Sequence, residues 1–106
     1  MDTKLLIKKL NEVFCNNNKT GKKYSEVWLS EVDLGGLYDN GKFVLCLKAE
    51  HEIDSCYDET TDILNLLNQQ AKEELEYIWT VRVYNTQDQV HCESSDLKVF
   101  DEANSC

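Results

Sequence analysis

Residues 43–50 read Phe43-Val44-Leu45-Cys46-Leu47-Lys48-Ala49-Glu50, and this stretch decides the fold class. Phe43, Leu45, Leu47 and Ala49 fall on one side of an extended chain, and Val44, Cys46, Lys48 and Glu50 fall on the other. That is the period-two pattern of a strand. Just before it, Asp39-Asn40-Gly41 supplies the positive φ angles of a tight turn, so the preceding segment is expected to pair with it as a hairpin. That earlier strand reads over Tyr24–Asp33, with Val27 and Leu29 on one face and Trp28, Ser30 and Val32 on the other. Gly35-Gly36 lies between the two strands, lacks any phosphate-loop spacing and is expected to be turn.

Outward from this hairpin the period changes. Asp2 or Thr3 can cap a helix over residues 3–15, in which Leu6, Leu10, Val13 and Phe14 recur on one face. Asn16-Asn17-Asn18-Lys19-Thr20-Gly21 stops it, because Asn and Gly accept left-handed backbone angles. On the other side, the acidic residues 50–59 read as a hinge, and Thr60 or Thr61 can cap a second helix over residues 61–76. Its apolar stripe is Leu64, Leu67, Ala71 and Leu75, broadened by Ile63 and Leu66.

Tyr77, Trp79, Val81 and Val83 alternate with Ile78, Thr80, Arg82 and Tyr84 in a third strand, followed by a loop at Asn85-Thr86-Gln87-Asp88. A fourth strand begins near Gln89, bends at Ser94-Ser95-Asp96 and resumes over Leu97–Phe100. The order α-β-β-α-β-β predicts a single α+β domain over residues 1–100, a four-stranded antiparallel sheet with two helices on one face. Residues 101–106 form a polar tail. The other sheet face is expected to expose aromatic groups unless something covers it.

The 106 residues make one domain's length, and 42% apolar content with five Tyr, three Phe and two Trp supplies a core. Lys4, Lys8 and Lys9 interrupt the N-terminal apolar residues, so no secretory signal is read, and no apolar run nears the roughly 20 residues that cross a bilayer. Cys15, Cys46, Cys56, Cys92 and Cys106 are odd in number and without a close pair. They read as free thiols of a cytoplasmic protein rather than a disulfide or zinc framework.

The charge is unevenly placed. Residues 1–23 carry +4 and residues 24–106 carry −13, for a net −9. The acidic part of such a surface repels nucleic acid and steers encounters with basic proteins, and no membrane partner is expected.

Residues 50–59 contain every donor type a divalent cation accepts, yet they lack the central Gly of a calcium loop and the paired His of a zincin helix, so no metal is expected there. His91 and Cys92 are adjacent in a strand, where alternation points them to opposite faces and forbids a Cys–His pair. Glu73, Glu74 and Glu76, like Asp58 and Glu59, sit in polar surroundings that raise no pKa toward neutrality. The sequence therefore assigns no catalytic residue and no cofactor.

What remains is a non-catalytic protein-binding module, of the inhibitor or immunity type, for a partner whose basic surface handles nucleic acid. Its expected contact residues are Trp28, Tyr38, Glu50, Glu52, Asp54, Tyr57, Asp58, Glu59 and Tyr84. Two alternatives stand beside it: a ligand-binding domain or small enzyme with a pocket between sheet and helices, and a homodimer that buries its open sheet face.

Overall fold

The side chain of Asp2 accepts a hydrogen bond from the Lys4 N–H at 3.0 Å, which starts helix α1 (Thr3–Asn11). The helix continues as a wider π-type turn over Glu12–Asn16, whose Val13 and Phe14 join Leu6 and Leu10 in the core. The remaining elements are strands β1 (Tyr24–Glu31) and β2 (Phe43–Ala49), helix α2 (Cys56–Gln70), a 3₁₀ segment (Lys72–Tyr77), and strands β3 (Ile78–Tyr84) and β4 (Val90–Ser94). The computed structural model describes residues 2–16, 21–31 and 43–94. The expected Gly35-Gly36 and Asn40-Gly41 turns, Tyr38, the strand segment 97–100 and the tail 101–106 lie outside the described residues.

The sheet runs β1-β2-β3-β4 and is mixed rather than antiparallel throughout. The two outer pairs are antiparallel, but the central pair, β2 with β3, is parallel. A parallel pair needs a crossover long enough to carry the chain back to the same end, and α2 with its 3₁₀ extension fills that connection. Burial explains why β2 takes the centre. Val44, Leu45, Cys46 and Leu47 are all buried, so both faces of the strand are covered, as in parallel sheets.

On one face Val27, Leu45, Leu47, Val81, Val83 and Cys92 meet residues of both helices, among them Leu10, Phe14, Ile63 and Leu67, in a single cluster. The other face carries rows set by register: Ser30, Val44 and Thr80, then Trp28, Cys46, Arg82 and Glu93, then Glu26, Lys48 and Tyr84.

Three irregularities re-aim side chains. Tyr24 pairs with Ala49 and Glu26 with Lys48, leaving Ser25 extra; Phe43 pairs with Ile78 and Val44 with Thr80, leaving Trp79 extra; Val83 pairs with Cys92 and Tyr84 with Val90, leaving His91 extra. The first two shifts let Tyr24 share a face with Val27, and Ile78 with Val81, spacings of three that strict alternation forbids.

Helix α2 begins at Cys56, five residues before the expected 61. Ser55 caps it by accepting the Asp58 N–H at 3.3 Å, and Asp58 and Glu59 place carboxylates in the positive first turn. Thr60, an expected cap, lies inside the helix and donates its hydroxyl to the Cys56 carbonyl at 2.9 Å. The helix ends at Gln70 rather than 76, because Ala71 leaves helical geometry at φ −143°, ψ 42°. Among the described residues, no helix is long and apolar enough to cross a membrane.

Candidate functional site

Residues 50–59, expected as a loose hinge, are fastened at alternate positions. The Glu50 N–H donates to the Lys23 carbonyl at 2.8 Å, and Ser25 Oγ donates to Glu50 Oε1 at 2.6 Å. His51 turns inward: its Nδ1 lies 3.0 Å from both the N–H and the carbonyl of Lys23, and its Nε2 lies 2.6 Å from Glu59 Oε1. A neutral ring accepting from Lys23 N–H and an imidazolium donating to Lys23 O both keep a proton on Nε2 for Glu59. Ile53 packs against the core and Ser55 caps α2.

Glu59 is the anchor of the segment and is fully buried at 0% exposure. Its Oε1 also accepts the Tyr24 hydroxyl at 2.6 Å, and Lys22 Nζ stands 3.2 Å from its Oε2. Burial pushes the carboxyl upward, but hydrogen bonds from Tyr24, His51 and Lys22 outweigh it and hold Glu59 below the ordinary carboxylate range. The Tyr24 phenol moves the other way, raised far above its ordinary value by burial and then by the Glu59 carboxylate it serves. The Tyr24 and His51 rings meet edge to face, 5.2 Å apart at 86°.

With the odd-numbered residues His51, Ile53 and Ser55 turned inward, Glu52 and Asp54 remain exposed beside Glu50, and Asp58 and Tyr57 project from the first turn of α2. Tyr57 is 74% exposed. Glu50, Glu52, Asp54, Tyr57 and Asp58 thus form one ridge, while Glu59 faces the interior and presents nothing to a partner.

Trp28 and Tyr84 lie on the other sheet face, away from this ridge. Their rings pair at 5.1 Å and 35° across β2, and both are half-buried rather than free. Beneath this face Cys46 is inaccessible, its Sγ 3.7 Å from Ser30 Oγ, and burial raises its thiol pKa. Arg82 and Glu93 pair across strands at 2.8 Å. Tyr38 lies outside the described residues.

The cysteines depart from the expected set of free thiols. Cys56, first residue of α2, forms a disulfide with Cys92 of β4, their Cα atoms 5.3 Å apart, while Cys15 and Cys46 are free. Burial raises the Cys15 thiol pKa, as does Glu26. The pair joins elements 36 positions apart, a closeness that neither spacing nor count reveals.

His91 and Cys92 also depart from expectation. The extra residue in β4 breaks the alternation, and ligand atoms of Cys56, His91 and Cys92 all lie within 4.8 Å of one another. Reduced to thiolates, the two sulfurs would make with the imidazole a donor set for a zinc-like cation. His91 also lines a surface groove with His51, Glu52, Ile53, Asn85, Thr86 and Gln87.

Sequence reasoning missed Lys22, Tyr24, His51, Cys56, His91 and Cys92. Two signals existed. Tyr24 stands three residues before Val27, on the wrong face for an unbroken strand, and the Ser-x-x-Asp spacing of Ser55 and Asp58 marks a helix start. Comparison of the chain with models of known protein families, with curated proteins and with solved structures gave no match.

Proposed function

We propose that the chain is a non-catalytic protein-binding domain whose ridge of Glu50, Glu52, Asp54, Tyr57 and Asp58 engages a basic surface on a partner protein. The observation that carries this reading is the fastening of residues 50–59: His51, Ile53, Ser55 and Glu59 are held inward, which leaves the carboxylates and the Tyr57 ring aimed outward. A segment ordered before binding loses less conformational entropy on association. An exposed aromatic among like charges suits an interface centre with a steering rim.

An inhibitor or immunity-type role, in which the ridge occludes a basic, nucleic-acid-handling site, is the form of binding that fits a net charge of −9. Cytoplasmic residence belongs to the same proposal, and there the Cys56–Cys92 pair would be held mainly as thiols.

The test compares immobilised wild type with Glu52→Lys/Asp54→Lys/Asp58→Lys and with Tyr57→Ala, all verified as folded, as baits in lysate of the source cell and of any organism it lives with. A single stoichiometric partner, released progressively by salt and lost with either variant, is the expected result. Equal retention by wild type and the triple reversal, or no retained protein at low salt, overturns the reading.

A further inference from the structure

We infer that Cys56, His91 and Cys92 form a zinc site in the reduced protein, and that the Cys56–Cys92 disulfide is the metal-free, oxidised state of the same site. The observations are geometric. Two sulfurs near enough to bond and an imidazole nitrogen within 4.8 Å of both form the donor set of a tetrahedral site with one exchangeable position. The three residues come from two elements held together by the core, since Cys92 belongs to the main cluster and Cys56 is fixed by the capped start of α2.

The extra residue in β4 adds an independent point. An uninterrupted β4 would send His91 and Cys92 to opposite faces; the irregularity brings the ring to the sulfurs, where no described residue hydrogen-bonds it. Cys56 and His91 are exposed and His91 lines a surface groove with Glu52, so water can reach the site as the fourth ligand.

The two states exchange in a balanced way. Two equivalents of a small thiol reduce the disulfide, are themselves oxidised to one disulfide, and leave Cys56 and Cys92 as thiols. Zinc binding then displaces both thiol protons. In the reverse direction hydrogen peroxide takes two electrons from the thiolates and, with two protons, becomes two waters; the S–S bond forms and the cation leaves.

The test titrates Co²⁺ into full-length protein, reduced and oxidised, under anaerobic conditions. The reduced protein is expected to bind one equivalent with thiolate-to-cobalt charge-transfer bands and tetrahedral ligand-field bands, both erased by one equivalent of Zn²⁺. The oxidised protein should show neither. Cys56→Ser and Cys92→Ser should lose the charge-transfer signature, and His91→Ala should bind about tenfold more weakly or worse. His91→Ala retains both cysteines, so its fold is checked independently on the oxidised form. Absent thiolate bands in reduced wild type, the same bands in Cys56→Ser, or undiminished affinity in His91→Ala would each overturn the assignment.

Discussion

The Tyr24 hydroxyl donates to the buried Glu59 carboxylate at 2.6 Å across 35 positions of chain, tying the first residue of β1 to the first turns of α2. With His51 and Lys22 on the same carboxylate, it is the polar latch that orders residues 50–59. Removing the carboxylate leaves three polar groups facing a void. Glu59→Ala is therefore expected to cost about 3–5 kcal/mol of unfolding free energy. Tyr24→Phe removes one hydroxyl and should cost about 1–2 kcal/mol. Denaturant unfolding of the two variants measures both, and a loss below about 1 kcal/mol for Glu59→Ala would show that the latch does not stabilise the fold.

The latch also sets a pH window. Glu59 has its folded pKa lowered, so its contribution is complete above the unfolded glutamate value of about 4.3 and is lost as pH falls through the folded value. Tyr24 has its folded pKa raised, so its contribution is complete below the unfolded tyrosine value of about 10 and declines above it, where the unfolded chain ionises first. The ionisable groups acting on the pair are His51, Lys22 and Asp62. Thermal melts across pH should decline at both ends, Glu59→Gln flattening the acid limb and Tyr24→Phe the alkaline one. An unchanged alkaline limb in Tyr24→Phe would assign that loss to other groups.

Much of the architecture is legible in local periods because most of its strands and helices bury one face. Phe43–Ala49 reads as a strand at once, and Leu6, Leu10, Val13 and Phe14 read as a helical stripe. Strand neighbours are not local. That β2 pairs in parallel with β3 depends on the route of the 50–77 connection, although the continuous apolar run Val44–Leu47 hints at a strand covered on both sides. The candidate site is less legible, because it is built from departures from the period. Ser25, Trp79 and His91 each break an alternation that sequence reading assumes, and each break brings Tyr24, Ile78 or His91 itself to the groups it serves. Glu59 looks like one more surface acid beside Asp58 until the fold supplies Tyr24 and His51.

The Cys56–Cys92 bond closes a loop of 36 positions, which chain entropy values at about 2–4 kcal/mol. Reduction without metal should lower the unfolding free energy by that amount, and Cys56→Ser should match the reduced wild type because its side chain is exposed. Denaturant curves with and without a phosphine reductant make the comparison. Coincident curves would show that the two sulfurs are not joined in the isolated protein.

Trp28 and Tyr84 present the last separable question, whether an aromatic pair on the outer sheet face serves stability or contact. Each ring is half-buried and the two pair at 5.1 Å, on the face where Cys46 is inaccessible. The pair should therefore act as a lid over Cys46. A double-mutant cycle of Trp28→Ala and Tyr84→Ala is expected to give a coupling of about 0.5–1.5 kcal/mol in stability. Trp28→Ala should also expose the Cys46 thiol, so that a thiol reagent labels it faster in folded protein than in wild type. If instead stability holds, labelling is unchanged and partner retention falls, Trp28 belongs to the binding surface and the lid assignment fails.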